Sequence, residues 1–148
     1  FALLRLAPVL GEGARTDGLV LPPIRPAPVA AGETVYMIHH AQCRPKLLSA
    51  RCSIGAVGFP SWAPDAIAAD PQLPANPEVT HRCDTEPGAS GAPIFDTNGR
   101  LIALHHLGFK RDETCEPMDR VNKAVEIRHI LEHLKVIAPA AHDLIVRR

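Results

Sequence analysis

The sequence predicts an all-β barrel closed by a helix at its C-terminal end, and three observations carry that prediction. Apolar stretches are short and broken by Pro, Gly and Asn, as strands separated by turns are. Asp96-Thr97-Asn98-Gly99 sits between two apolar runs, and Asn-Gly tolerates the positive φ of a tight hairpin. Helical spacing appears only late, where Ala124, Ile127, Ile130, Leu131, Leu134 and Ile137 recur on one face. At 148 residues the chain is long enough for one domain with a real core.

Taken in order, residues 1–6 (F-A-L-L-R-L) form an apolar strand, residues 11–18 a polar loop, and residues 19–21 a short strand. Pro22, Pro23, Pro26 and Pro28 then impose an extended connector outside any hydrogen-bond ladder. Residues 33–40 alternate, with Val35, Met37 and His39 on one face and Thr34, Tyr36, Ile38 and His40 on the other. A second strand pair is expected over 47–57, an exposed loop over the five prolines of 60–77, and another strand over 78–83. Residues 93–107 supply two strands around the Asn-Gly turn, and Asn122 is placed to cap the terminal helix. This divides the chain into a lead-in and Pro-rich connector (1–31), a barrel with its closing helix (32–137), and a tail (138–148).

Composition removes several function classes. Sixteen basic residues balance sixteen acidic ones, with no basic cluster, so nucleic acid is not an expected partner. No apolar run approaches the roughly 20 residues of a membrane helix. Four cysteines without C-x-x-C spacing argue against a zinc ribbon, and no metal or cofactor is expected. The chain opens on Phe1 within an apolar strand, without a charged segment before it, and reads as a fragment or processed product of a longer protein.

Chemistry concentrates in residues 80–108, T-H-R-C-D-T-E-P-G-A-S-G-A-P-I-F-D-T-N-G-R-L-I-A-L-H-H-L-G. Gly88-Ala89-Ser90-Gly91 can present a serine hydroxyl beside backbone N–H groups aimed at one point, where a carbonyl attacked by that hydroxyl would develop negative charge. By itself this is a short motif that also serves plain turns.

In context it resembles the nucleophile region of chymotrypsin-fold serine peptidases, in the bacterial trypsin-like and glutamyl-endopeptidase-like branch. The family pattern D-T-x-x-G-x-S-G-x-P is met by Asp84, Thr85, Gly88, Ser90, Gly91 and Pro93, and the following x-G-x-H segment by the run ending at His105. Residues 32–40 (G-E-T-V-Y-M-I-H-H) resemble the strand opening the second barrel of that fold, and residues 121–134 its terminal helix. F-A-L-L-R-L resembles the segment following the family's triad aspartate. The resemblance implies a six-stranded Greek-key barrel, the second of a double barrel. It implies a serine endopeptidase with Ser90 as nucleophile and the Gly88 and Ser90 N–H groups as oxyanion hole. The triad His and Asp would lie upstream, in an N-terminal half that is then the necessary partner, and this chain alone would be inactive.

The same resemblance implies a substrate cleft for a peptide or protein. Thr85 and His105 match positions that hold an acidic P1 side chain, whereas Asp84 matches the carboxylate that attracts Arg or Lys; acidic P1 is the expectation. His106, Leu107 and Gly108 would pair with an extended substrate. A Cys52–Cys83 disulfide is implied, which fits an extracytoplasmic compartment, the cytoplasm otherwise. Ala89 replaces the aspartate that captures a freed N-terminus in zymogens, so no such activation is expected.

Three alternatives stand beside it. His129-Ile130-Leu131-Glu132-His133 is an H-x-x-E-H match, but no Glu follows to complete a zinc site, and both histidines are expected on the helix surface. A hydrolase elbow needs a helix after the serine, where Pro93 and Asn98-Gly99 argue for a hairpin. A catalytically incomplete binding or scaffold module with the same fold is the alternative from a different class.

Overall fold

The computed structural model describes residues 21–59, 76–108 and 121–146. The expected strands within 1–20, most of the 60–77 loop, and Cys115 lie outside these residues. Among the described residues, six strands form one antiparallel sheet: β1 (Thr34–His39), β2 (Leu47–Ser53), β3 (Glu78–His81), β4 (Pro93–Asp96), β5 (Leu101–Leu107) and β6 (Asn122–Glu126), in the order β2-β1-β4-β5-β6-β3. The sheet curls until the segment after β2 meets β3 at the far edge, through the bridges Ile54 to His81 and Phe59 to Glu78. Two helices follow, α1 (Ile127–Ile137) and α2 (Pro139–Val146). The expected barrel with a C-terminal helix is the observed architecture.

The alternation expected of β1 is present: Val35, Met37 and His39 point inward. Val35 and Met37 meet Ile54, Val79, Ile94 and Ile102, all essentially inaccessible, in a core built largely of aliphatic side chains. The β4–β5 hairpin turns where expected, with Gly99 at φ 76° and its N–H bonded to the Asp96 carbonyl at 3.0 Å. The Asp96 carboxylate, buried beneath this turn, accepts from the Asn98 and Arg100 N–H groups and pairs with the Arg25 and Arg100 guanidiniums. Burial alone would raise its pKa, but these donors outweigh it and hold the carboxyl below its ordinary value. Cys52 and Cys83 are joined by a disulfide that ties β2 to the residue pair following β3.

Four expectations need correction. The helix starts at Ile127, not at Asn122, because residues 122–126 pair with β5 on one side and β3 on the other. Ala124 fits a helical face in sequence, yet the ladder between two strands outweighs that local preference. The tail contains a second helix, α2, after a break at Ala138. The 47–57 region holds one strand, not two; Arg51, at φ 56°, bulges where β1 and β2 shift register, and Gly55 turns the chain toward Thr80. The proline connector does join the ladder once, in a parallel bridge between Ile24 and Leu101.

Candidate active site

The stretch singled out in sequence folds into one cleft. Thr85, Glu86, Pro87, Gly88, Ser90, His105, His106, Leu107 and Gly108 line a cavity of about 250 Å³. Asp84 is not among them. It is exposed, and its N–H goes to the Ser49 hydroxyl, away from the lining.

The turn carrying Ser90 depends on two glycines. Gly88 has φ 98° and Gly91 φ 86°, both in a region that disfavours side chains. Gly91 N–H bonds to the His105 carbonyl at 2.7 Å, pinning the turn to β5. The Pro87 carbonyl accepts from Gln42 N–H at 3.0 Å, in the short turn Ala41–Cys43. A trans peptide points its C=O and N–H in opposite directions, so Gly88 N–H faces away from that turn. Gly88 and Ser90 N–H groups have no backbone acceptor among the described residues. The ion pair between Arg44 and Glu86, 2.9 Å, braces the same two loops at the surface.

The Ser90 hydroxyl is exposed and donates to the His106 carbonyl at 3.3 Å. Among the described residues no imidazole is bonded to it. On the opposite wall, β5 carries a bulge: His105 pairs with Ala124 and Leu107 with Lys123, leaving His106 as the extra residue. Neighbouring side chains of a regular strand face opposite ways; the bulge lets both His105 and His106 line the cleft. The His106 Nε2 lies 3.3 Å from a carboxylate oxygen of Glu78, which is buried on β3.

Behind the cleft, His81 Nε2 lies 2.9 Å from His105 Nδ1, and both rings are buried. Burial, with the neighbouring His105 and His106, pushes the His81 pKa down to about 3. Burial and His106 push His105 down to about 4, against an opposing hydrogen bond with the Lys123 backbone and with a small lowering from His39. Both rings are therefore neutral near pH 7. Thr85 donates its hydroxyl to Asn122 Oδ1 at 2.8 Å, while Asn122 Nδ2 is held by the Cys83 carbonyl. The Thr85 proton is committed at rest, and its oxygen is left as an acceptor.

A model of the trypsin-like peptidase domain matches residues 1–104, a span that includes Gly88 and Ser90. The chain belongs to this family. Fifty-six residues of this trypsin-like domain are 36% identical to a serine protease of Mus musculus, FAM111A, over 38% of the chain and 8% of that protein. Among solved structures it is similar to the Rv3671c protease in its inactive form, with TM-score 0.58 and 21% identity over 79% of this chain. It is also similar to the apo MamO protease domain of Magnetospirillum magneticum, with TM-score 0.50 and 14% identity over 72% of this chain. The chain spans 55% and 49% of those two structures, and at such identities they support the fold alone.

Sequence reasoning missed His81, Glu78 and Gln42. His81 had a usable signal, because Val79, His81 and Cys83 alternate on one face of an apolar strand. Gln42 acts through its backbone, which no residue type announces. His129, expected on the helix surface, is buried, with Nδ1 3.1 Å from Glu132 and Nε2 4.0 Å from Glu126. The helix follows β6 with no residue between them, and its first turn is buried at Ile127, His129 and Ile130.

Proposed function

We propose that this domain is the nucleophile-bearing part of a serine endopeptidase. The observation that carries it is the Pro87–Gly88 peptide, turned by Gln42 so that the Gly88 N–H faces away from that turn beside the exposed Ser90 hydroxyl. Ser90 Oγ would attack the scissile carbonyl while its proton passes to a base. The Gly88 and Ser90 N–H groups would take the oxyanion, and collapse to an acyl-Ser90 ester would release the amine, which carries that proton away. Water, delivering a proton to the same base, would then free the acid and restore Ser90. Ser90 lacks an imidazole partner among the described residues, so base and orienting carboxylate are assigned to an N-terminal half of the fold.

In the cleft, Asp84 is outside the lining and Glu86 is tied to Arg44, so neither offers a free carboxylate to a basic side chain. His105 and His106 instead suit an acidic P1 residue, and His106 to Gly108 would receive the extended substrate backbone.

The test is labelling of the full-length protein with a fluorophosphonate, with peptide hydrolysis measured alongside. Ser90→Ala is expected to abolish labelling and reduce hydrolysis by about 10⁴-fold or more. Unchanged hydrolysis by Ser90→Ala would remove Ser90 as nucleophile. Binding of peptides without hydrolysis by the wild type would favour a scaffold module.

A further inference from the structure

The turn that orients the Gly88 peptide is not a conformation its own residues favour. Gln42 has φ 52° and ψ 39°, and Cys43 follows at φ 54°, so two successive side-chain-bearing residues are left-handed. There the Cβ crowds the following carbonyl oxygen, and such residues persist only where their surroundings hold them. Yet the Gly88 peptide leans on this turn, through the bond from Gln42 N–H to the Pro87 carbonyl at 3.0 Å. Gly91 pins the far end of the nucleophile turn to β5. On the near side Ala89 N–H bonds only back to the Glu86 carbonyl, 3.1 Å, and the buried Ala89 side chain has no polar atom to anchor it.

One side chain joins the two turns. Arg44 Nη2 donates to Gln42 Oε1 at 2.5 Å and lies 2.9 Å from Glu86 Oε2, while Arg44 N–H donates to the Ala41 carbonyl at 3.0 Å. Gln42 is the donor of the bond to Pro87, and Glu86 is the neighbour of its acceptor. The guanidinium therefore closes a ring that runs through Gln42, the Pro87 carbonyl and Glu86. Both Arg44 and Glu86 are half-exposed, and an isolated surface pair contributes little. Here, however, Glu86 Oε2 is itself buried and takes no hydrogen bond among the described residues, so the Arg44 charge is what compensates it.

We infer that Arg44 is a positioning residue for the oxyanion hole, holding Gln42 and Glu86 together so that the left-handed 42–43 turn stays against the Pro87 carbonyl. This rests on the peptidase proposal and deepens it. Without the guanidinium, residues 42–43 can relax toward an ordinary backbone, the Gln42–Pro87 bond opens, and the Pro87–Gly88 peptide is free to rotate. Arg44 acts through a backbone donor and touches no reacting atom, so its loss belongs in kcat and not in KM.

The experiment has two arms on the full-length protein. Amide hydrogen exchange at Gln42 reads its bond to Pro87 and needs no catalysis. Arg44→Ala should lower protection of that amide by about tenfold and leave the amides of β4 and β5 unchanged. Arg44→Lys, a single charge without the guanidinium fork, should fall between. The second arm measures kcat and KM on a peptide amide. Arg44→Ala should reduce kcat about tenfold at unchanged KM, the weight of one charge-assisted hydrogen bond. Cys43→Gly relieves the left-handed strain at 43 while keeping both side-chain partners of Arg44, so in that background Arg44→Ala should cost at most about threefold. Unchanged exchange at Gln42 in Arg44→Ala, a rise in KM with kcat unaltered, or the same loss in both backgrounds overturns the inference. A protein that hydrolyses nothing, yet loses Gln42 protection in Arg44→Ala, would defeat the peptidase proposal while leaving the role of Arg44 in the turn intact.

Discussion

Replacing Gly88 by alanine separates the backbone's structural role from its proposed chemical one. Its φ of 98° is hostile to a side chain, and an added Cβ would sit 3.3 Å from Gln42 N, 3.6 Å from His40 O and 3.7 Å from Ala41 Cα. All three are backbone atoms that cannot swing aside. The positive φ costs about 1–2 kcal/mol. Rotating the Pro87–Gly88 peptide relieves both problems, but it forfeits the Gln42 hydrogen bond, another ~1 kcal/mol, and turns the Gly88 N–H away. The expected result is a loss of about 2 kcal/mol, near 4–8 °C in Tm. It comes with a fall in kcat of about 10²–10³-fold, the usual consequence of losing one oxyanion donor. Gly91→Ala is the control. Gly91 has a similar φ of 86° but open space around its Cβ, and its N–H is already spent on His105. It should lose comparable stability and keep kcat within about tenfold of the wild type. Both are assayed as full-length protein on a peptide amide, well below the melting transition. If the two variants lost kcat equally, or Gly88→Ala stayed within about threefold of the wild type, Gly88 would not be an oxyanion donor.

Two further outcomes follow from the core. The Cys52–Cys83 disulfide closes a loop of 31 residues, so Cys52→Ser/Cys83→Ser should lose about 3–4 kcal/mol in denaturant titration, and a reductant should reproduce that loss in the wild type. His81 and His105 are depressed from 6.5 to about 3 and about 4. Their neutral forms thus support the fold fully above pH 6.5, and the support is lost as pH falls, because the unfolded chain takes up protons first. Stability measured by urea titration should drop by up to about 1.4 kcal/mol per pH unit for each ring between pH 6.5 and 4, and His81→Gln should reduce the slope. Glu33, lowered by its bond to Arg25, and Asp96 lose their contribution as pH falls through the ordinary carboxylate values of 4.5 and 3.8, so the part of the window above about pH 5 belongs to histidine.

Local signals made much of the molecule legible. Asn98-Gly99 located the hairpin because positive φ is a property of residue type, and Val35, Met37 and His39 announced their face because a strand alternates. Gly88, Ser90, Thr85, His105 and His106 reach one cleft because a single turn and the β4–β5 hairpin after it carry them all. The failures share a cause. Residues 122–126 carry apolar positions compatible with either period, and only the presence of β3 and β5 on both sides makes them a strand.

By itself, then, the sequence determined the family, the strand-rich barrel and the serine turn, since these rest on residue type and short-range spacing. Tertiary structure alone decided that Asp84 stays out of the cleft lining, and that two neighbouring histidines at the β5 bulge both line it. It also decided that Gln42 orients the Gly88 peptide, and that His81 stands behind His105. Each of those depends on backbone directions and on partners far apart in the chain, such as His81 and His105 or Leu107 and Lys123, where sequence carries the atoms but not their angles.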